Sequence, residues 1–178
     1  GELLLSRGNT VYGVDASEKA VGKAGEKGVR ARDVNLEESL EYQDTFFDIV
    51  FAGEIIEHIF NIELFLGEIH RVLKQNGYLV LSTPNLATLG RRILLLFNKN
   101  PHIEISFTGN AAGHIRYFIK KTLFAILNEH GFGIDTFTSD MINFNASGTI
   151  RSVRLASLFP TLGRSLIVKA GKRQQASG

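Results

Sequence analysis

The chain has 178 residues, 44% of them hydrophobic, and a formal net charge of +2. This composition is sufficient for one folded domain and excludes a disordered tail. The chain contains no cysteine, which excludes a disulfide scaffold, a Cys-ligated zinc site and a thiol nucleophile. No apolar run approaches the roughly 20 residues of a membrane-spanning helix and no signal-like segment opens the chain, so we expect a cytoplasmic protein.

The charge is distributed unevenly along the chain. Residues 1–80 carry 14 acidic and 8 basic side chains, whereas residues 81–178 carry 4 acidic and 12 basic ones. A basic half could meet an anionic substrate, a nucleic acid or a membrane surface, or it could simply be a solvated surface. Because aromatic residues are not interleaved with the basic ones, we expect no nucleic-acid partner.

Short β-rich runs open the chain and alternate with helical patterns. Strands are predicted at residues 10–14, 28–32 and 46–52, and a helix at residues 17–25 with Ser17 as its N-cap. The run at 46–52 is almost unbroken in apolar residues, which predicts a strand buried on both faces.

The middle of the chain has a longer helical pattern. Apolar residues at spacings of three and four predict one helix over residues 54–73. Asn76 and Gly77 predict a turn, and residues 78–82 predict another buried strand. Strands that alternate with helices in this way indicate a parallel α/β sheet.

The second half is less regular. Residues 86–97 are apolar enough for a helix, residues 98–113 are predicted as a loop, and residues 119–130 form an amphipathic pattern that ends at Gly131. Strands are predicted at residues 132–138 and 165–169. The long link between them indicates an antiparallel pair at one edge of the sheet. Residues 171–178 are predicted to be a frayed, disordered tail.

Five segments carry a specific order of motifs between about Val11 and Ala170: VYGVDAS, FFDIVFAGEIIEHI, LGEIHRVLKQNGYLVLSTPN, GHIRYFIKKTLFAILNEHGF and LGRSLIVKA. In this order they resemble the class I S-adenosylmethionine-dependent methyltransferases, in particular the branch of ubiquinone-biosynthesis O-methyltransferases. The resemblance implies an α/β, Rossmann-like three-layer sandwich over residues 1–170, with a mostly parallel sheet and an antiparallel edge strand.

The function that the resemblance implies is methyl transfer from S-adenosylmethionine to a small-molecule acceptor, with an oxygen nucleophile preferred. Two alternatives stay open. One is a nicotinamide-dinucleotide-binding oxidoreductase, since an acid at the end of a strand also suits a dinucleotide ribose. The other is a non-catalytic domain that kept the fold.

One family element has no counterpart in the sequence. The family's glycine-rich loop follows its first strand and holds the methionine end of the cofactor, whereas residues 1–5 resemble the helix that follows this loop. The resemblance places the missing strand between the strands that end at Asp15 and Ala52. We therefore expect a domain that is incomplete at its N-terminus, and unpaired backbone groups on both neighbouring strands.

Six residues are candidates for binding the cofactor. Ligands of open α/β sheets bind beyond the carboxyl ends of the strands, where Asp15 could accept both hydroxyl hydrogens of a ribose or could instead cap a helix. The resemblance extends this to three pairs along the cofactor: Asp15 and Ala16 at the ribose, Asp33 and Val34 at the adenine, and Ala52 and Gly53 at the floor of the site.

The candidate catalytic residues are Glu57, His58 and His114. The spacing of Glu54, Glu57 and His58 predicts that all three lie on one helical face, away from the apolar stripe. His58 could act as a general base oriented by Glu57, or these three residues together with His114 could ligate Mg²⁺, Mn²⁺ or Zn²⁺; alternatively, the acids only complement the helix dipole. His114, in GHIRYF, matches a family motif near the substrate side of the cleft.

The remaining polar candidates have simpler interpretations. Arg116 could neutralise an acidic substrate or pair with a surface acid. Asn85 is predicted to be a turn residue, and three histidines are assigned to structure or solvent: His70, His102 and His130.

Overall fold

The structure is a computed structural model and describes residues 2–101, 113–144 and 149–173. The chain divides into two compact units, residues 1–41 and residues 42–178. His102, most of the predicted 98–113 loop and residues 174–178 of the predicted tail lie outside the described residues.

The first unit contains a short helix and a βαβ arrangement: α1 (Glu2–Leu5), β1 (Tyr12–Asp15), α2 (Glu18–Glu26) and β2 (Arg30–Asp33). The strands are parallel. Ser17 is the N-cap of α2, as predicted, and its hydroxyl accepts the Ala20 N–H at 3.3 Å.

The second unit contains the remaining elements, in chain order: β3 (Phe47–Gly53), a 3₁₀ helix (Ile56–His58), α3 (Ile62–Val72), β4 (Leu73–Pro84), α4 (Leu89–Leu96), α5 (Lys120–Glu129), β5 (Phe132–Thr138), β6 (Ile142–Asn143), β7 (Arg151–Ser152), α6 (Val153–Leu158), a second 3₁₀ helix (Pro160–Leu162) and β8 (Ser165–Lys172). The two-residue strands β6 and β7 and the six-residue α6 are too short for sequence periodicity to predict. No helix among the described residues has the length and apolar character needed to cross a bilayer.

The main sheet has the strand order β3-β4-β8-β5. β3 and β4 are parallel, and β8 is antiparallel to both β4 and β5, so three of the four strands run in one direction. The predicted antiparallel pair is therefore β5 and β8, with β5 at the edge. β8 runs on to Lys172, two residues into the segment that was expected to fray.

The core lies between this sheet and the helices that pack on it. Alternate residues of β4 and β8 have no exposed surface, and the apolar stripes of α3 and α5 are buried as well. Full burial of each such side chain contributes about 1.5–3 kcal/mol. α5 ends at the predicted position, because Gly131 has φ +79, in the left-handed region that favours glycine after a helix.

The prediction that β3 is buried on both faces is wrong. The Ile49 residue is 45% exposed and Phe51 is 71% exposed. β3 is an edge strand, and the described residues of its unit do not cover the face that carries these two side chains. An apolar run indicates a buried strand only where both faces have partners.

The prediction of one helix over residues 54–73 is also wrong. Glu54 has φ +52, the 3₁₀ helix ends at His58, and α3 begins after Asn61. The Asn61 side chain accepts the Leu64 N–H at 3.1 Å and starts a new helix. The apolar stripe continues across this break, so periodicity alone does not reveal it.

The predicted turn at Asn76 and Gly77 lies inside β4. Phe47 pairs with Leu73, but Ile49 pairs with Tyr78, so β4 carries extra residues at this point. A Cβ on Gly77 would lie 3.0 Å from the carbonyl oxygen of Asp48, so the irregularity needs a residue without a side chain.

Candidate active site

The carboxyl ends of β3 and β4 lie at the same edge of the sheet because the two strands are parallel. The Glu54 N–H donates to the Ser82 carbonyl at 2.9 Å and joins the two ends. A Cβ on Gly53 would lie 2.6 Å from the Phe51 ring, so a side chain at position 53 would displace that ring. The segment that follows Gly53 carries the candidate catalytic residues.

Glu57 is a buried carboxylate, only 1% exposed. Its Oε2 accepts a hydrogen bond from the Thr83 hydroxyl at 2.9 Å. Its Oε1 is buried, accepts no hydrogen bond from the described residues, and lies 3.9 Å from His114 Nε2. The expectation that Glu57 lies on a polar helical face is therefore wrong, since the helix is interrupted there and Glu57 points into the protein.

His58 is exposed, and one of its ring nitrogens has a defined partner. Its Nδ1 lies 3.3 Å from the Gly113 carbonyl oxygen. Because a carbonyl only accepts, the neutral ring in this contact carries its proton on Nδ1 and presents the lone pair of Nε2. The orienting group of His58 is therefore the Gly113 carbonyl, whereas Glu57 faces His114.

The segment that carries His114 is held by the backbone of Glu57. The N–H groups of Ile115 and Arg116 both donate to the Glu57 carbonyl, at 3.0 and 3.2 Å. The rings of His58 and His114 consequently lie 4.9 Å apart between centroids. The structure thus brings all three candidate catalytic residues together, although 55 positions separate His58 from Gly113 in the chain.

These three side chains offer donor atoms in a small space. One oxygen or nitrogen from each of Glu57, His58 and His114 lies within 4.8 Å of the others. Glu54 is outside this group and hydrogen bonds to Ser82, while partial burial raises the pKa of its carboxyl. The candidate metal ligands are therefore Glu57, His58 and His114, without the predicted Glu54.

Arg116 forms no ion pair with an acid among the described residues, and its side chain donates to the backbone instead. Its Nε donates to the Ile59 carbonyl at 3.2 Å and its terminal nitrogen to the Phe60 carbonyl at 2.6 Å. These bonds fix the chain between the 3₁₀ helix and α3.

Two further candidates have packing roles. Burial lowers the pKa of His70, whose ring packs edge-on against Phe132 at 5.4 Å. The Nε2 atom of His130 lies 2.7 Å from a carboxylate oxygen of Glu63, and its Nδ1 atom lies 2.8 Å from the Ile126 carbonyl oxygen.

Asn85 is buried at the end of β4. Its side-chain amide donates to the carbonyls of Thr161 and Gly163, at 3.0 and 2.8 Å. It therefore anchors a turn, as predicted, but one that lies far away in sequence.

The candidate cofactor residues are divided between the two units. Asp15 and Asp33 are directly paired in register at the carboxyl ends of β1 and β2, and both are exposed. Asp15 Oδ1 also accepts the Ser17 N–H at 2.9 Å, so one of its oxygens has a structural role. Ala16 is exposed and Val34 half-buried beside these acids, whereas Ala52 and Gly53 end β3 in the second unit.

Thr83 is the site residue that sequence reasoning missed, because the predicted strand ends one residue earlier, at position 82. Leu79, Leu81 and Thr83 alternate on one face of β4, and none has exposed surface. A hydroxyl that continues an alternating buried pattern requires a buried hydrogen-bond partner, and this signal was present in the sequence.

Sequence comparison relates part of the chain to methyltransferases. Residues 2–81 match a family described as "Methyltransferase domain". The mitochondrial ubiquinone biosynthesis O-methyltransferase of Rattus norvegicus is 28% identical over 66% of this chain and 34% of its own length. The ubiquinone biosynthesis O-methyltransferase of Rhizobium etli is 36% identical over 47% of this chain and 36% of its own.

Solved structures share the fold. A SAM-dependent methyltransferase of Archaeoglobus fulgidus superposes with a TM-score of 0.66 and 18% identity, covering 95% of this chain and 79% of that one. One from Thermotoga maritima, described as a possible histamine N-methyltransferase, has a TM-score of 0.65 and 19% identity, covering 96% and 76%.

The fold is therefore the α/β, Rossmann-like three-layer sandwich of these enzymes. Residues 2–81, a little under half of the chain, match the methyltransferase-domain family, and the similarity to the solved structures shows that the fold is shared. The match spans only 34% and 36% of the two curated relatives named above.

Proposed function

We propose that the protein containing this chain transfers a methyl group from S-adenosylmethionine to an oxygen atom of a small molecule. The observation that carries this proposal is the cluster of Glu57, His58 and His114, in which an exposed imidazole presents the lone pair of Nε2. The curated relatives named above are O-methyltransferases, which supports an oxygen acceptor.

The proposed cofactor site uses the candidates at the strand ends. The exposed carboxylates of Asp15 and Asp33 lie next to each other in register, which suits acceptors for ribose hydroxyls and an adenine amine. In the first unit, Ala16 and Val34 would border the same groups. In the second unit, taken by itself, the small residues Ala52 and Gly53 would let a ligand approach the backbone at the end of β3. When bound, S-adenosylmethionine supplies an electrophilic methyl carbon on a sulfonium.

In the proposed reaction the residues of the cluster remove a proton from the acceptor. The acceptor oxygen bonds to the methyl carbon as the carbon–sulfur bond breaks, and the electron pair stays on sulfur. His58 takes the acceptor's proton at Nε2 while Nδ1 remains bonded to the Gly113 carbonyl. The Glu57 carboxylate, held by Thr83, lies beside His114, and the Glu57 backbone carbonyl holds the segment that carries His114.

The same three side chains fit a divalent metal ion. One carboxylate and two imidazoles suit Zn²⁺ or Mn²⁺, and the buried Oε1 of Glu57 accepts no hydrogen bond from the described residues. Glu57, His58 and His114 would hold the ion, which would lower the pKa of an acceptor hydroxyl. In that version His58 is a ligand rather than the base.

We further propose that a strand and a glycine-rich loop outside the printed sequence complete the domain. The support is the outer edge of β3, which pairs with no strand among residues 2–101, 113–144 and 149–173, together with the exposed Ile49 and Phe51. The coding sequence upstream of Gly1 tests this: a β-rich run followed by several glycines is expected, and a long polar segment would contradict it.

The experiment for the reaction is a labelled-methyl assay on the whole protein with phenol and catechol acceptors. His58→Gln should lower kcat by about 100-fold or more with unchanged cofactor affinity, whereas the matched control His130→Gln should keep kcat. Transfer to amines alone, or full activity of His58→Gln, would refute the proposal.

The metal version is separated from the base version by chelation. Loss of transfer in EDTA, with recovery in Zn²⁺ or Mn²⁺, would indicate that the cluster binds a metal. Full activity in EDTA, with only His58→Gln inactive, would leave the general base.

A further inference from the structure

A groove of about 550 Å³ lies outside the catalytic cluster. The first turns of α5 form one wall, and the segment after β4 forms the other. Its apolar surface comes from Phe124, Ala125, Ile119 and Ala87, and Thr161 closes one end. The volume is within the usual range for small-molecule sites.

Three cations line this groove, and no acid does: Arg92, Lys120 and Lys121. Among the described residues none of the three forms an ion pair with Asp or Glu. Three positive charges that line one groove without an acidic partner among the described residues favour an anion. A basic surface that is only solvated is not expected to have an apolar wall between its cations.

Two of these cations are held in place. The Arg92 guanidinium donates from Nε to the Ala87 carbonyl at 2.7 Å and from one terminal nitrogen to the Thr161 carbonyl at 3.1 Å. Since a guanidinium has five N–H groups, three remain for a ligand. The Lys120 ammonium lies 5.2 Å from the centre of the Phe124 ring and 5.1 Å from that of Phe137.

Asn85, which also lines the groove, is held by hydrogen bonds. Asn85 is 1% exposed, and both N–H groups of its side-chain amide donate to backbone carbonyls, those of Thr161 and Gly163 in the turn before β8. A preformed apolar surface with fixed cations loses little conformational freedom on binding.

We propose that this groove binds a small amphipathic anion, with an aromatic or alkyl body on Phe124 and a carboxylate or phosphate group at Arg92, Lys120 and Lys121. This site is separate from the cluster of Glu57, His58 and His114, and it does not depend on the proposed reaction. Its occupancy is measurable without S-adenosylmethionine.

The test is a titration of the whole protein with benzoate, phenyl phosphate and the neutral benzyl alcohol, followed by NMR or calorimetry. Binding of either anion with at least tenfold preference over benzyl alcohol is expected, and the better anion identifies the head group. Equal binding of all three compounds, or binding of none, overturns the proposal.

Variants locate the binding. Lys120→Gln and Lys121→Gln should each weaken anion binding about two- to fivefold, and their combination should weaken it further. Lys99→Gln is the matched control, because Lys99 is an exposed lysine that does not line the groove. An equal loss in Lys99→Gln, or no loss in the double variant, overturns the proposal.

Discussion

Thr83→Val is the most direct perturbation of the catalytic cluster. Valine has nearly the shape of threonine but cannot donate to Glu57 Oε2, which the Thr83 hydroxyl reaches at 2.9 Å. Glu57 is 1% exposed and its other oxygen already lacks a hydrogen bond from the described residues. The variant would therefore leave a buried carboxylate without a side-chain donor.

The expected loss of stability follows from the burial of Glu57. A hydrogen bond to a charged group contributes about 1.5–3 kcal/mol. For a protein of this size each kcal/mol shifts Tm by roughly 2–4 °C, so Thr83→Val should lower Tm by about 3–12 °C. Thr83→Ser keeps the hydroxyl and should lower Tm much less.

A double-mutant cycle isolates the interaction. Glu57→Met removes the carboxylate, and Thr83→Val in that background should cost little, because two apolar partners need no hydrogen bond. Urea unfolding of the four proteins gives the coupling energy, which should be about 1.5–3 kcal/mol. A coupling below about 0.5 kcal/mol would refute the argument that Thr83 satisfies Glu57.

Three further outcomes are expected. Asp15→Ala in the whole protein should weaken S-adenosylmethionine binding about ten- to a hundredfold in calorimetry; a lower Tm with unchanged affinity would show only a capping role. The isolated 178-residue chain should be unstable or fail to bind S-adenosylmethionine at micromolar concentration, and calorimetric binding would contradict this. Because burial lowers the pKa of His70, its contribution to stability should be present above pH 6.5 and lost as the pH falls below it. In urea unfolding, His70→Gln should flatten the dependence of stability on pH below 6.5. An unchanged dependence would contradict the role given to His70.

Local signals in the sequence were sufficient for many elements. Ser17 caps α2 through its own hydroxyl, and Gly131 ends α5 through its positive φ, so both boundaries depend on residues within one turn. The strand Phe132–Thr138 was predicted with its observed bounds, because aromatic and β-branched residues recur along it on both sides of Gly133 and Asp135. The candidate catalytic residues were also identified in advance, by the resemblance of their motifs.

Their arrangement depended on contacts between distant parts of the chain. Glu57 is buried because Thr83 on a neighbouring strand supplies a donor, and His58 is oriented by the carbonyl of Gly113. The residue pattern around Glu57 fits a continuous helix equally well, so periodicity cannot reveal either partner.

The sequence by itself determined the alternation of strands and helices, the caps that end them and the family to which the chain's motifs point, because these depend on neighbouring residues. Only the tertiary structure decided that β8 lies between β4 and β5, that one face of β3 is exposed and that Glu57 faces His114. Strand order, burial and side-chain pairing are set by packing between segments far apart in the chain, and that packing is not encoded in any local pattern.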